Sequence, residues 1–227
     1  MMRQFATLVS LVVVLSTMQA QQLRPVTNSE TTVENYIQEM FFMAHKSGSL
    51  TLHGTCKSTL QGSVVVSEDL KNPPQGPFND ISEVIDVLSK NKPELSITHT
   101  SDGIMRVSDK RVKGGLLQVH LNLVHIKEAK DPHAAIKAVL AAPEAQGYLK
   151  DNRIELGDVF NMPSSRKGVP RLTVDLRELT VGQALDKIIN FFPGVWIYSE
   201  CMDNYHRRVT IRIAEVGPPA QSTGDTH

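Results

Sequence analysis

The sequence predicts an α+β protein made of two small β-α-β-β modules with mixed or antiparallel sheets, helices packed on those sheets, and an amphipathic helix before them. Three observations predict this class. Residues 171–177 alternate between apolar and polar side chains, as a strand buried on one face does. Residues 181–192 carry apolar side chains at helical spacing, and residues 195–201 and 209–213 return to extended patterns. A similar order of patterns stands about 100 residues earlier in the chain.

Residues 1–20 have the composition of a secretory signal peptide, with a basic start at Arg3, an apolar run over residues 6–15 and a final Ala20. That run is too short to cross a bilayer. We therefore expect cleavage after Ala20, no transmembrane segment in the mature chain, and a periplasmic or secreted protein. Met18 is large for an export peptidase, so an uncleaved anchor is the alternative.

The charge of the chain argues against nucleic-acid binding. Its 24 basic and 24 acidic residues balance, and cleavage after Ala20 would remove one basic residue, Arg3, and no acidic one. Proteins that bind nucleic acid gain affinity by neutralising several phosphates, which needs a net positive surface. We therefore expect no nucleic-acid partner.

Residues 21–48 read as a flexible lead followed by an amphipathic helix. Thr31 and Glu34 have the spacing of a helix cap, and Gly48 is the predicted stop. One apolar stripe runs along this helix, formed by Val33, Tyr36, Ile37, Met40, Phe41 and Ala44. The stripe either packs on the following domain or forms a face for a partner.

The first module is predicted over residues 49–110. Strand-like patterns at 49–53 and 62–66 precede a proline-rich break, and Asp80 caps the next helix. Asp102 and Gly103 then predict a hairpin turn between two further strands, because this pair tolerates positive φ.

The two modules match at an offset of 100 residues, the distance from Asp80 to Thr180. At this offset Pro93 meets Pro193 and Ile97 meets Ile197, and the helix stripes coincide. The match predicts a structural repeat, with coincidence as the alternative because few residues are identical.

A strand-helix connecting region is predicted over residues 111–158. Its strand, residues 116–126, would place Leu117, Val119, Leu121 and Leu123 on one face. Asp131 and Pro132 then begin a helix. The second module follows at residues 159–216, and the Gly, Pro, Ser and Thr of residues 217–227 predict a disordered tail.

Cys56 and Cys201 are the only cysteines. In an oxidising compartment they could form a disulfide, and otherwise they are two separate buried side chains. Cys201 and His206 would be the least implausible nucleophilic pair, but no third residue stands nearby to orient the imidazole.

No catalytic or metal-binding motif occurs in the sequence. His120 and His125 are five residues apart on a predicted strand, so they would point to opposite faces and could not chelate one ion. We therefore expect no catalytic residues, no metal and no cofactor.

Trp196 and Tyr198 are the candidate binding residues. They alternate with Val195 and Ile197 along one predicted strand. If the aliphatic pair covers the helix, the aromatic pair stands exposed beside a sheet edge as an anchor for a partner. If the aromatic pair is buried, it belongs to the core, and we favour this reading slightly.

Three segments carry a resemblance to a known family: residues 172–176, the helix start from Thr180 to Leu185, and the strand at 209–211. Over about residues 170–214 the chain resembles the short N-terminal domain shared by secretins and TonB-dependent receptors, and this pattern is repeated at about 62–109. The resemblance implies a small periplasmic domain that mediates contacts between envelope proteins and carries no catalytic residues. No barrel or secretin core follows, which points to a free-standing exported protein that uses similar modules.

From these observations we expect an exported, non-catalytic interaction or assembly module of the bacterial cell envelope that binds an envelope protein. Sheet edges and the Trp196 strand are its candidate surfaces. Two alternatives remain: a secreted hydrolase with an unrecognised active site, and a carrier of a small apolar ligand held between helix and sheet.

Overall fold

A computed structural model describes Leu23 and residues 30–59, 62–157, 171–203 and 206–216. Within these residues the protein is α+β, as predicted. Its helices are α1 (Val33–Met43), α2 (Ile81–Asn91), α3 (Pro132–Leu140), α4 (Pro143–Asp151) and α5 (Val181–Phe191), with a 3₁₀ helix at Gly115–Gln118. Its strands are β1 (Glu30–Thr32), β2 (Gly48–Thr59), β3 (Gly62–Ser67), β4 (Asp69–Lys71), β5 (Leu95–His99), β6 (Met105–Asp109), β7 (His120–Ala129), β8 (Ile154–Leu156), β9 (Leu172–Thr180), β10 (Gly194–Met202) and β11 (Arg207–Glu215).

One mixed sheet of seven strands organises the described residues, in the order β5-β6-β2-β10-β11-β8, with β3 paired to β2. Its centre is the parallel pair of β2 and β10. Strand β6 of the β5–β6 hairpin pairs with β2 on one side, and β11 pairs with β10 on the other. Strands from both predicted modules therefore lie side by side in this one mixed sheet. The physical reason is that β10 is apolar on both faces, so it is stable only inside a sheet covered on both sides.

Three layers result from this two-sided burial. On one face of the sheet, Val195 and Ile197 join a core cluster with α1 and α2. On the other face, Trp196 and Tyr198 join a second cluster with α3, α4 and α5. Burial of apolar surface, worth roughly 25 cal/mol per Å², holds both helix layers to the sheet.

A separate two-stranded sheet joins β7 to β9. The sequence places β9 in the second module and β7 in the connecting region, but these two strands pair with each other. The predicted strand at 116–126 begins as the 3₁₀ helix, and β7 starts only at His120. Its buried residues are Leu121, Val124, Ile126 and Ala129, so of the predicted odd-numbered set only Leu121 is buried within β7. The burial pattern changes between Leu121 and Val124, opposite the part of β9 where Glu178 has a left-handed backbone, with φ 51°.

Helix ends follow the predicted capping chemistry. Thr180 accepts a hydrogen bond from the Gln183 amide at 3.2 Å, and the Gln183 side chain accepts one from the Thr180 amide at 2.8 Å. Asp131 caps α3, with Pro132 at the first helical position. The cap of α1 is Thr32 rather than Thr31, and α1 ends at Met43, well before the predicted stop at Gly48.

The apolar stripe of α1 packs inside the protein. Its buried residues are Val33, Tyr36, Ile37, Met40 and Phe41. All five belong to the cluster that α2 and the sheet share. The packing interpretation of this stripe is therefore confirmed, and it forms no exposed partner-binding face.

The hairpin predicted at Asp102 and Gly103 is present between β5 and β6. Gly103 has φ 77°, a left-handed conformation that explains why glycine stands at this turn.

Leu23 is buried and pairs its backbone with Phe78, with N···O distances of 2.8 and 3.1 Å. The predicted signal peptide, the rest of the predicted lead and the predicted tail lie outside the described residues. Of the helices in the described part of the chain, none has the length and apolar character needed to cross a membrane.

Candidate functional site

Trp196 and Tyr198 are both buried, with exposed fractions of 2% and 0%. Their role as exposed anchors for a partner is therefore wrong, and the core interpretation is confirmed. Alternation along β10 would expose Trp196 and Tyr198 only if one face of the strand were open. In the structure β10 lies between β2 and β11, and helices cover both of its faces.

The indole of Trp196 is part of a buried polar chain. Its Nε1 donates a hydrogen bond to Asp186 Oδ1 at 2.8 Å, and Arg106 donates a charge-assisted hydrogen bond to the other oxygen of Asp186. The Asp186 side chain is 8% exposed. A buried carboxylate of this kind needs both partners, since an unpaired charge in the core is strongly destabilising.

Tyr198 belongs to a second buried chain. Its hydroxyl donates to Glu200 Oε2 at 2.9 Å, and Arg207 forms a salt bridge with the same carboxylate. Glu200 Oε1 accepts from the backbone amide of Lys113 at 2.6 Å, which fixes the loop before the 3₁₀ helix. Burial, with the nearby Glu200 charge, raises the pKa of Tyr198 far above that of a free tyrosine.

Cys56 and Cys201 form a disulfide with their Cα atoms 5.4 Å apart. The bond joins β2 to β10 across 145 residues. A bonded Cys201 holds no thiolate, so it cannot act as a nucleophile with His206. The backbone amide of His206 bonds to Asp203 Oδ1 at 2.7 Å, in the turn before β11.

The histidines of the described residues are not gathered into one metal site. His125 Nδ1 lies 2.6 Å from Asp175 Oδ1, and His120 Nε2 lies 3.7 Å from Glu178. All four side chains are about half exposed or more. The His125 contact lowers the pKa of Asp175. Across the described residues, no three His, Cys, Asp or Glu side chains are arranged to hold a metal ion.

An apolar groove lies between α5 and the sheet formed by β7 and β9. Its volume is about 290 Å³. Six of its lining residues are apolar, and Lys187 and Asn190 complete the lining; the six are Ile126, Leu172, Val174, Leu176, Ile188 and Phe191. Strand β9 has β7 as its single partner among the described strands. An unpaired strand edge therefore lies beside an apolar groove.

A second, polar cleft of about 420 Å³ lies on the seven-stranded sheet. Strands β2 and β6 form its floor, and α5 with the 3₁₀ helix forms its wall. Glycine at position 182 allows α5 and the 3₁₀ helix to approach closely, because a Cβ there would lie 3.3 Å from the Leu117 carbonyl oxygen. The lining includes Ser49, Thr51, Arg106, Lys110 and Lys113, together with Trp196.

The sequence predicted the possible pairing of the two cysteines and the hairpin that contains β6, but neither concave surface. The signals were present: Val174 and Leu176 belong to the apolar face of β9, and Ser49 and Thr51 alternate with Leu50 and Leu52. These patterns assign a side chain to a face. They do not say whether another layer covers that face.

Searches for similar proteins returned no match: no family model matches the chain, and neither does any curated protein or solved structure. The fold defines an α+β protein with one mixed seven-stranded sheet between two helix layers.

Proposed function

We propose that this chain is an exported, non-catalytic module of the bacterial cell envelope that binds an extended segment of a partner protein along β9. The observation that carries the proposal is the unpaired edge of β9 beside the apolar groove. An exposed strand edge offers unpaired N–H and C=O groups, and proteins use such edges to bind a further strand.

The groove would supply specificity to such a complex. In a strand added to β9, alternate side chains point to the same face as Val174 and Leu176. Apolar side chains at those positions would enter the groove and contact Ile188 and Phe191. A volume of about 290 Å³ fits a few side chains and not a folded domain.

The proposed location in the cell envelope is inferred from the sequence. Residues 1–20 have the features of an export signal, and the resemblance over residues 170–214 is to domains that connect envelope proteins. The disulfide between Cys56 and Cys201 is consistent with an oxidising compartment.

The test is affinity capture from an envelope extract by residues 21–227, with two variants in the groove and a matched control. Phe191→Ser and Val174→Lys should reduce recovery of a specific envelope protein about tenfold or more. Phe42→Ser makes the same chemical change at a phenylalanine that is 52% exposed on α1, and should leave recovery unchanged. Circular dichroism checks that each variant is folded.

A photo-reactive residue at position 174 then identifies what is bound. We expect crosslinks to one extended segment of the captured protein, with apolar residues at alternate positions. Equal capture by wild type and both groove variants, or crosslinks scattered over a folded domain, would contradict the proposal.

The groove also favours a second candidate, a carrier of a small apolar ligand. Its walls are a helix and a sheet with six apolar side chains, which is the arrangement that such a carrier needs. Native mass spectrometry of the purified protein separates the two functions. A retained small molecule that Phe191→Ser loses would favour the carrier, and an empty protein that captures a partner would favour the module.

A further inference from the structure

The polar cleft lies over β2 and β6, beside α5 and the 3₁₀ helix. Its floor is formed by Ser49 and Thr51 of β2 with Arg106 and Ser108 of β6. Arg106 and Ser108 are partly exposed, although the other face of β6 is buried. A hydroxyl-rich floor of this kind supplies hydrogen-bond donors to a ligand oxygen.

The ionised groups of the cleft leave a net positive charge. Arg106, Lys110 and Lys113 are its cations, and Asp109 is its one anion. Asp109 is 1% exposed and is bonded to Arg111. Its charge is therefore matched within the protein, as the charge of Arg106 is by Asp186. The excess positive charge of the cleft lies on Lys110 and Lys113.

The two lysines keep their positive charge available. Lys110 Nζ donates to the Pro93 carbonyl oxygen at 3.2 Å, which does not neutralise the ammonium. Lys113 bonds through its backbone amide to Glu200, and its side chain is exposed.

Arg106 adds an unsatisfied donor. One of its terminal nitrogens bonds to Asp186, but its Nε is buried and has no hydrogen-bond partner among the described residues. The Arg106 side chain as a whole is 33% exposed, so the accessible part of its guanidinium, and not the buried Nε, can meet an acceptor oxygen bound in the cleft. The first turn of α5 also lines the cleft through Gly182 and Gln183, and its dipole adds to the positive potential.

We propose that this cleft binds an oxyanion, the carboxylate or phosphate group of a small ligand or of a partner's side chain. Arg106 and Lys113 are its principal ligand-binding residues, with the partly exposed hydroxyls of Thr51 and Ser108 as further donors. The site is distinct from the β9 groove and does not depend on the function proposed for it.

Trp196 provides a local readout, because it lines the cleft and is the one tryptophan in the chain. Its fluorescence is followed while citrate or inorganic phosphate is added, with sodium chloride adjusted to hold the ionic strength constant. We expect a saturable change. Saturation with citrate alone assigns a carboxylate, with phosphate alone a phosphate, and with both a general oxyanion site.

Three variants test the assignment. Lys113→Gln should weaken binding about tenfold, the equivalent of about 1.4 kcal/mol. Arg106→Gln should abolish it, with circular dichroism as the check on folding; should this variant not fold, Lys113→Gln decides. Lys127→Gln is the matched control, because it removes the same charge from an exposed position on β7 and should leave binding unchanged.

Two results would overturn the proposal. The first is a fluorescence signal that neither anion changes in a saturable way. The second is equal weakening by Lys113→Gln and Lys127→Gln, because this would show a response to overall charge and not to the cleft. A synthetic peptide rich in glutamate then distinguishes a small ligand from a partner's side chain as the source of the anion. The peptide should compete with citrate only if a carboxylate on a polypeptide can reach the cleft.

Discussion

Two tyrosine hydroxyls lie in the core on opposite sides of the sheet. Tyr36 donates to the Pro74 carbonyl oxygen at 2.7 Å, and Tyr198 donates to Glu200. Burial, with a contribution from the Glu39 charge, raises the pKa of Tyr36 to about 12. Both residues therefore keep their protons in the folded protein at a pH where an unfolded tyrosine loses them.

These tyrosines predict an alkaline loss of stability. Below pH 10 both states keep the Tyr36 proton, so the full stability is present. Between pH 10 and about 12 mainly the unfolded state releases the proton, so the free energy of unfolding falls. We expect Tyr36 to account for roughly 1–3 kcal/mol of this fall, measured as urea unfolding at steps from pH 8 to 11.5.

Tyr36→Phe is the variant that isolates the effect. It should start less stable at pH 8, because the hydrogen bond to Pro74 is gone, and should then lose less stability as the pH rises. Phe42→Leu, at an exposed position, should follow the wild-type slope. An unchanged slope in Tyr36→Phe would show that other groups cause the alkaline transition.

At the residue scale, local chemistry was predictable and burial was less so. The cap residues Asp80, Asp131 and Thr180 could be named because each contacts an amide three residues away. Trp196 could not be placed with certainty, since its burial depends on helices that lie far away in the chain. The cleft at Arg106 was missed for the same reason, because a polar strand face looks alike whether it is open or covered.

At the scale of elements, the repeat extends over α2 and α5 and the hairpin after each, but not to the arrangement of the sheet. Both helices have 11 residues, begin 100 positions apart and precede a hairpin, as the sequence predicts. The hairpins attach to β2 differently, one through β6 and the other through β10. The helices also cover opposite faces of the sheet. Short-range patterns fix a helix and its following turn, whereas strand neighbours depend on contacts that such patterns do not encode.

The capping box of α5 gives a prediction at this scale. Thr180→Ala removes the acceptor for the Gln183 amide and should lower the free energy of unfolding by about 1 kcal/mol. Thr180→Ser keeps that acceptor and should cost much less. Urea unfolding of both variants at pH 7 measures the difference. Equal losses would mean that the threonine methyl group, and not the cap, stabilises this end of α5.

At the scale of the whole molecule, the disulfide joins two strands that are already neighbours. The parallel pairing of β2 with β10 ends at His53 and Glu200, and Cys56 lies beyond it. The bond therefore attaches the part of β2 that pairs with β3 to the end of β10.

Removal of the disulfide should destabilise the protein substantially. Chain entropy for a separation of 145 residues gives a loss of at most about 5 kcal/mol in the double variant Cys56→Ala/Cys201→Ala. The measurement is the urea midpoint with and without dithiothreitol. Reductant should lower the wild-type midpoint toward that of the double variant and leave the double variant unchanged. A wild type that does not respond to reductant would contradict the prediction.

The position of β10 beside β2 also sets the order in which the protein can fold. During synthesis from the N terminus, β6 can pair with one edge of β2 after about 110 residues, but the other edge waits for β10 at Gly194–Met202. Until then Leu50 and Leu52 lack the packing of Val195 and Ile197. Contacts between residues so far apart in the sequence slow folding, so partly folded intermediates with exposed apolar surface persist for longer. We therefore expect the chain to need protection from aggregation until β10 has emerged.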